Sequence, residues 1–338
     1  MAKCAIYCIQ CPNNPVSGGV FAAIFYAAEN KSSFYKGKKM KIISGTFVDG
    51  IAWDIPSNNF TASDWAKEFD QFKKMGMDSV IIIRAGFKDH AMFNSEVIKP
   101  TLYEDPDLIA IMLNEAQRTG LKLYMGLYET VKHGAVNDWE NEAAVNADFA
   151  DELLARYGNH PAFYGWYMSY EADIRFHPDR IWKPLCQHIR KYDKVRPIIA
   201  SPRYSGRKYY PDFPVPPAIH AKHFDYLLGE MEGMISAYAF MDGHTDFKEL
   251  GDYAKATYDV FQKHGVEYWS NVETFDRDMR WKFPPIEWMK LRYKIDVVQP
   301  YVEKLITFEA PHFLSPNSQY MSARNLYRRY MEYIGKEA

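Results

Sequence analysis

Short apolar segments alternate with longer amphipathic segments from residue 40 almost to the end of the chain. Eight of the apolar segments are predicted strands, at residues 41–49, 79–87, 121–130, 162–173, 196–204, 233–243, 266–275 and 304–313. Between them the apolar residues recur at helical spacing, as in "DWAKEFDQFKKMG", for which Ser63 is the predicted N-cap. Nearly continuous apolar strands separated by helices are typical of a parallel sheet covered by helices.

Eight such units predict an α/β protein with a single (β/α)8 TIM barrel over residues 40–338. A length of 338 residues fits one large barrel. A doubly wound sheet is the competing fold, but the segment after the first strand, "GTFVDGIAWD", lacks the glycine-rich phosphate loop of that fold. The barrel is therefore the preferred interpretation.

Residues 1–39 are predicted to form a poorly structured N-terminal extension, because Met40 comes directly before the first convincing strand. Residues 16–28 are mostly apolar, too short to span a membrane, and similar to the core of a signal peptide. We therefore expect a cytoplasmic protein with no membrane partner, and secretion through an atypical signal segment stays open.

Three cysteines near the N-terminus, Cys4, Cys8 and Cys11, have the C-x3-C-x2-C spacing with which radical enzymes hold an iron–sulfur cluster. In those enzymes the motif follows the first barrel strand, whereas here it precedes every strand. The ten histidines form no H-x-H or H-E-x-x-H set. The sequence therefore predicts no metal and no cofactor.

The charge composition argues against nucleic acid as a binding partner. Lys and Arg number 41 against 43 Asp and Glu, so no basic surface for nucleic acid is indicated. Aromatic residues make up 16% of the chain, which suits either stacking on sugar rings or a large, tyrosine-rich core. The oligomeric state is not indicated by any pattern.

Polar side chains end nearly every predicted strand, and barrel enzymes carry their chemistry at these carboxyl ends. The candidate substrate-binding residues are Asp49, Arg84, Tyr128, Tyr170, Asp173, Arg203, Tyr238, Asp242, Asn271, Glu309 and His312, with Trp166 and Trp269 as stacking surfaces. Glu129 is a less secure candidate, because "ETVKHG" looks like the start of a loop.

Two glutamates are the candidate catalytic pair. Glu171 ends the fourth predicted strand and Glu273 ends the seventh, so barrel closure would bring both to one pocket. Glycoside hydrolysis needs two such carboxyl groups, one to protonate the leaving oxygen and one to attack the sugar or activate water. Arg84 and Asn271 are predicted to keep the attacking carboxylate ionised.

Five stretches resemble a bacterial family called domain of unknown function 4434, whose members are regarded as glycosyl hydrolases. They are "ISGTFVDGIAWDIPS", "GWYMSYEAD", "DGHTDF", "NVETFDRDM" and "ITFEAPHFLSPNS", and the resemblance covers roughly residues 41–335. The two glutamates are also similar to those of clan A retaining glycoside hydrolases, which are (β/α)8 barrels.

The resemblance implies that Glu171 is the acid/base, that Glu273 is the nucleophile, and that Tyr238 lies near the nucleophile. It implies no cofactor. Clan A members usually have Asn before the fourth-strand glutamate, where this chain has Tyr170. The predicted function is a glycoside hydrolase acting on an oligosaccharide or glycoside. The alternatives are a carbohydrate-binding barrel without catalysis and a metal- or radical-dependent enzyme.

Overall fold

The computed structural model describes residues 40–51, 56–99, 102–103, 107–135, 137–174, 180–277 and 283–338. The predicted extension over residues 1–39, with its signal-like segment and its cysteine motif, lies outside these residues. No helix in the described part of the chain is long and apolar enough to cross a membrane.

Eight parallel strands close into a barrel, which confirms the predicted TIM-barrel fold. They are β1 (Ile43–Val48), β2 (Ser79–Ile82), β6 (Lys122–Gly126), β8 (Phe163–Met168), β9 (Ile198–Ala200), β10 (Ala237–Met241), β11 (Glu267–Asn271) and β12 (Lys304–Phe308). Each strand pairs with the next one along the chain, and β12 returns to pair with β1. The fourth and seventh barrel strands are thus β8 and β11.

A second, four-stranded sheet follows the ends of β2 and β6, and it was not predicted from the sequence. Its strands are β3 (Gly86–Phe87), β4 (His90–Ala91), β5 (Leu102–Tyr103) and β7 (Tyr128–Glu129), in the order β5-β4-β3-β7. Strands of two residues are too short to show any periodicity. The predicted second and third strands were therefore too long, because each included part of this sheet.

Helices connect the barrel strands and cover the outside of the barrel. The long helices are Ala62–Met75, Leu108–Thr119, Trp139–Tyr157, Trp182–Tyr192, Pro217–Glu230, Phe247–His264, Trp288–Val298 and Met321–Tyr333. Short helices are Pro56–Asn59, Lys132–Ala135 and Ala310–Phe313. Thr61, rather than the predicted Ser63, caps the first long helix, because its side chain accepts a hydrogen bond from the Asp64 N–H in a capping box.

Packed side chains fill the barrel interior below the mouth. They form one buried cluster that contains Phe47, Ile81, Ile83, Tyr124, Tyr167, Ile199, Ala237, Ala239, Trp269 and Ile306. A second, larger cluster lies between the barrel and its helices and includes Trp166 and Tyr238. Both faces of the strands are therefore buried, and the charged residues of the barrel strands lie at the strand ends.

We predict that Gly126→Ala destabilises the barrel. A Cβ atom at Gly126 would lie 2.2 Å from the carbonyl oxygen of Ile82, and backbone atoms of Ile83 are also within 3 Å. Overpacking of this kind costs about 1–3 kcal/mol, so the thermal midpoint should fall by several degrees. The control is Gly229→Ala in helix Pro217–Glu230, where a Cβ meets nothing within 4 Å and should be neutral or stabilising. An equal midpoint for the two variants would contradict the prediction.

Candidate active site

The carboxyl ends of the barrel strands carry arginine–carboxylate pairs. Arg84, after β2, donates to Glu129 at 2.7 Å and lies 3.6 Å from Asp49. Burial opposes the charge on Arg84, but Glu129 and Asp49 keep its pKa above the usual value. Arg84 was expected to keep Glu273 ionised. Instead it pairs with Asp49, which follows β1, and with Glu129, which follows β6.

Glu171 follows β8 and lies beside Arg203. The Arg203 Nη1 atom is 3.5 Å from Glu171 Oε2, and its Nε atom is 3.5 Å from Asp173 Oδ2. The hydroxyl of Tyr210 also donates to Asp173 at 2.8 Å. The Glu171 side chain is 36% exposed, whereas that of Asp173 is buried. Glu171 therefore has a carboxyl group open to solvent, held beside a cation.

Glu273 follows β11 and is buried beneath Arg277. Arg277 donates to both carboxylate oxygens, from Nε and from Nη2, each at 3.0 Å. Burial by itself would raise the pKa of Glu273, but the pairing with Arg277 holds it below the usual value. The structure therefore holds Glu273 ionised, with a partner that the sequence analysis did not identify.

Gly243 allows this arrangement, because a Cβ atom there would lie 1.6 Å from Glu273 Oε2. The Arg277 guanidinium in turn lies 4.9 Å from the ring centre of Phe275, a cation–π contact that holds the arginine in place. Gly243 thus leaves room for the Glu273 carboxylate, and Phe275 holds the Arg277 guanidinium that pairs with it.

A second buried ion pair holds the backbone of Glu273. Asp242, after β10, accepts from the Glu273 N–H at 3.1 Å and pairs with Lys294 at 2.6 Å. The Lys294 ammonium also donates to the Glu273 carbonyl oxygen at 2.8 Å. Burial raises the pKa of Asp242, although Lys294 opposes the rise. Asp242, predicted to bind substrate, is placed here to position Glu273.

Arg277 is influenced electrostatically by both candidate catalytic glutamates. Burial acts to lower the pKa of Arg277, whereas the negative charges of Glu273 and Glu171 act to raise it. The resulting pKa of Arg277 is above its usual value. Glu171 raises the pKa of Arg84 in the same way.

His244 lies in the same region and was not among the predicted residues. Its ring is buried against Tyr209, with 4.8 Å between the ring centres. Burial lowers its pKa to about 4, so the ring is neutral near pH 7. Its Nδ1 atom has no hydrogen-bond partner within the described residues. A buried ring nitrogen of this kind is suited to a hydrogen bond with a ligand.

A cleft of about 390 Å³ opens beside Glu273 and Arg277. Its walls come from the loops after β9, β10 and β11. The lining residues are Arg207, Lys208, Tyr209, Pro211, Gly243, His244, Asp246 and Arg277. This volume is within the roughly 300–1,000 Å³ range of small-molecule sites.

Several predicted substrate-binding residues lie away from the mouth. Trp166 is fully buried on the helix side of β8, where its indole N–H donates to Asp193 at 2.8 Å. Tyr238 is buried on the same outer layer against Trp182, and it is not near Glu273 as the resemblance implied. Neither ring is available for stacking on a sugar.

Trp269 and Tyr128 are also placed in packed surroundings. Trp269 faces the barrel interior, but its ring lies 4.9 Å from the Lys304 ammonium at the N-terminal end of β12, so it closes the bottom of the barrel. Tyr128 is buried against Phe149. Both therefore stabilise the fold rather than line the mouth.

The remaining candidates lie at or just below the mouth. Asn271 is buried at the end of β11, and its Oδ1 atom has no partner within the described residues. Tyr170 is half-buried, with its ring centre 6.0 Å from that of Trp139. His312 packs against Phe313 and Tyr320, at 4.2 and 4.8 Å between ring centres.

Glu309 belongs to a group of buried acids beneath the β1–β12 side of the mouth. Glu309 is fully buried, accepts the Asp49 N–H and has a positive φ of 49°. Burial raises the pKa of Glu309 well above its usual value, and burial raises the pKa of nearby Glu68 to about 7. Glu309 is thus placed below the mouth, where its carboxyl group holds the backbone of Asp49.

No group of three or more His, Cys, Asp or Glu side chains within the described residues has a geometry that could hold a metal ion. The three cysteines of the N-terminal motif lie outside that part of the chain.

Solved structures similar to this one include glycoside hydrolases. One is titled a putative alpha-L-fucosidase from Bacteroides thetaiotaomicron VPI-5482. It is 32% identical with a TM-score of 0.84, and the match covers 88% of this chain and 94% of that one. A glycoside hydrolase family 5 structure from Bacteroides vulgatus ATCC 8482 has a TM-score of 0.56 at 12% identity, with 87% and 66% covered. The protein is thus a TIM barrel with structural similarity to glycoside hydrolases.

The chain belongs to the family described as Domain of unknown function (DUF4434), whose model matches residues 43–320. Among curated proteins none matches it. The carboxyl transferase domain of Rhizobium etli pyruvate carboxylase is also similar, with a TM-score of 0.52 at 12% identity and 96% and 52% covered. At such identities the likeness is one of fold alone, so the chemistry has to be argued from the site.

We predict that Lys294→Met destabilises the protein strongly, because it leaves the buried Asp242 carboxylate without its cation. Breaking a buried pair from one side costs about 3–5 kcal/mol. The double variant Asp242→Asn/Lys294→Met should cost less than the sum of the two single variants. Arg292→Met on the same helix is the control, since Arg292 is 51% exposed, its partner Asp296 is 38% exposed, and a surface pair of this kind contributes little. Free energies of unfolding are measured with denaturant. A loss in the double variant equal to the sum of the two single losses would contradict the coupling between Asp242 and Lys294.

We also predict a pH-dependent loss of stability from Glu68. Its pKa is raised from 4.5 to about 7 by burial, so the folded state holds the proton more tightly than the unfolded state. This stability is fully present below pH 4.5 and disappears as the pH rises through 7, a loss of roughly 3 kcal/mol.

Glu68→Gln should therefore unfold at higher temperature than the wild type at pH 8 and should lose this advantage toward pH 5. Thermal unfolding across that range measures the difference. Glu332→Gln, at an exposed position, is the control. A constant difference between Glu68→Gln and wild type over the whole range would contradict the assignment.

Proposed function

We propose that the protein is a glycoside hydrolase with a retaining, two-carboxylate mechanism. Glu171 is the general acid/base and Glu273 is the nucleophile. The observation that carries the proposal is the contrast between the two groups, since Glu273 is buried and held ionised by Arg277 while Glu171 is open to solvent at the same mouth. A nucleophile must be ionised, whereas an acid/base must exchange protons with leaving group and water.

In the first step the Glu273 carboxylate attacks the anomeric carbon and the glycosidic C–O bond breaks. The Glu171 carboxyl donates its proton to the leaving oxygen. In the second step Glu171, now a carboxylate, takes a proton from water. The resulting hydroxyl adds to the anomeric carbon, and the ester bond to Glu273 breaks. Asp242 and Lys294 keep the backbone of Glu273 fixed throughout, as their contacts support.

Arg277 has to move for this chemistry to occur. It occupies both oxygens of Glu273, whose side chain is only 2% exposed, so an attacking oxygen has to be released first. Arg277 itself is 28% exposed and lines the cleft. Movement of the guanidinium into the cleft would open one oxygen while keeping the cation close.

Replacement of either glutamate by Gln is expected to lower turnover by orders of magnitude, on the order of 10²-fold or more, because proton transfer or attack is lost. Hydrolysis of a panel of aryl glycosides, including an α-L-fucoside because of the relative noted above, measures this effect. Glu140→Gln, an exposed residue of helix Trp139–Tyr157, is the matched control.

A 2-deoxy-2-fluoro derivative of the best substrate separates the two roles. It should leave a glycosyl group on the peptide that contains Glu273, which mass spectrometry detects, and the Glu273→Gln variant should stay unlabelled. Inversion of the product's anomeric configuration would overturn the retaining mechanism. Full turnover in both glutamate variants would overturn the hydrolase itself.

One observation favours a second candidate, a carbohydrate-binding barrel without catalysis. Both oxygens of Glu273 are paired with Arg277, as in a stable structural ion pair. A barrel that only binds sugar would not have to break this pair. In that case glycans would bind to the wild type and to Glu273→Gln equally, with no turnover of any glycoside.

A further inference from the structure

We propose that His244 binds a hydroxyl group of the sugar whose anomeric carbon Glu273 attacks, and that this contact helps to select the substrate. The inference rests on the proposed function and adds a specificity-determining residue to it. Its basis is the place of His244 in the backbone, the surroundings of its imidazole ring, and a series of contacts that leads from the ring to Glu171.

The backbone places His244 beside the Glu273 carboxylate. A Cβ atom added to Gly243 would lie 1.6 Å from Glu273 Oε2. A carbon–carbon single bond in the chain is about 1.5 Å long, so the Gly243 Cα atom lies within about 3 Å of that oxygen. His244 is the next residue, and because neighbouring Cα atoms are about 3.8 Å apart, its Cα atom is within about 7 Å of the carboxylate. One sugar unit held against Glu273 can therefore also contact His244.

The imidazole of His244 lies at the cleft and has a nitrogen without a hydrogen bond. The residue is 5% exposed and lines the cleft of about 390 Å³. Its Nδ1 atom is buried and has no partner within the described residues. Buried polar atoms are seldom left in this state, so the ring has unused capacity for hydrogen bonding. Because Nδ1 is closed off from solvent, Nε2 at the tip of the ring is the atom that a ligand in the cleft meets first.

The chemistry of a neutral imidazole suits a hydroxyl group. Burial lowers the pKa of His244 to about 4, so the ring carries no charge near pH 7. A neutral imidazole has one nitrogen that donates a hydrogen bond and one that accepts. A hydroxyl group can do either, so it pairs with Nε2 in both tautomers, whereas a carboxylate can only accept. The ring is therefore matched to the most frequent polar group of a sugar.

Direct contacts also lead from this ring to the second candidate catalytic glutamate. The His244 ring packs edge-on against Tyr209, with 4.8 Å between the ring centres. The Arg203 guanidinium lies 4.8 Å from the centre of the same tyrosine ring. Arg203 is in turn 3.5 Å from Glu171. His244 therefore belongs to the same set of packed side chains as the cation beside the proposed acid/base.

The test compares sugars that differ by a single hydroxyl group. The probes are methyl glycosides of neutral hexoses and 6-deoxyhexoses, followed by the monodeoxy analogues of the glycoside that binds best. Dissociation constants are measured by calorimetry in the Glu171→Gln background, in which the proposed hydrolysis is blocked. With His244 intact, we expect one monodeoxy analogue to bind about tenfold or more weakly than the parent glycoside, because it leaves the imidazole without its partner.

Two substitutions of His244 and one control then assign the effect. His244→Phe keeps an aromatic ring against Tyr209 but removes both nitrogens, so it should bind the parent and that analogue equally. His244→Gln keeps a hydrogen-bonding group and should retain part of the difference. His188→Phe is the matched control, because His188 packs edge-on against Tyr192 at 5.6 Å and is not among the residues that line the cleft. It should show the full difference.

The inference is overturned if His244→Phe distinguishes parent and analogue as well as the protein with His244 intact, which is the result expected of a histidine that only packs against Tyr209. A panel in which no methyl glycoside binds overturns it too. If His244→Phe fails to fold, nitrogen-15 spectra of histidine-labelled protein decide. The ring signal of His244, identified by its loss in His244→Gln, should shift more with the parent glycoside than with the analogue, and an unchanged signal overturns the inference.

These outcomes are separate from those of the proposed function. If glycosides are hydrolysed and both glutamates are required, but His244→Phe keeps the full difference between parent and analogue, the hydrolase stands and the role of His244 is overturned. If binding depends on His244 and on one hydroxyl group while the wild type hydrolyses no glycoside, the sugar contact stands and the hydrolase is overturned.

Discussion

Burial of the Glu273 carboxylate is the constraint on which the rest of the mouth depends. An ionised carboxyl group inside a protein is costly unless cations and hydrogen bonds replace the water it has lost. Arg277 provides these bonds to the side chain, and Lys294 with Asp242 holds the backbone. Gly243 then has to lack a side chain, because the carboxylate occupies that space.

The two candidate catalytic glutamates differ because their surroundings differ. Glu273 is enclosed and paired on both oxygens, whereas Glu171 lies 3.5 Å from Arg203 and remains open to solvent. Two carboxyl groups in unlike environments can take opposite roles in one reaction. Arg277 pairs with Glu273 and also lines the cleft.

Most of the fold could be predicted from the sequence, while the direction of several side chains could not. Alternation of apolar strands with helices is a local pattern, and eight repeats close into a barrel. Both faces of a barrel strand are buried, however, so period-two alternation does not distinguish the interior from the helix side. For that reason Trp166 and Tyr238 were predicted at the site although the structure places both on the outer layer.

The order of residues along the chain is enough to predict a TIM barrel with acids and arginines at the carboxyl ends of its strands. The pairing of arginines with acids could be read only from the folded structure. Arg84 pairs with Glu129, and Arg277 pairs with Glu273. The fold also places the Lys294 ammonium, which belongs to a helix, beside Asp242 and Glu273 at the ends of two strands. The physical reason is that helix and strand periodicity is a local property of the chain, whereas ion pairing depends on distances of a few ångströms between loops.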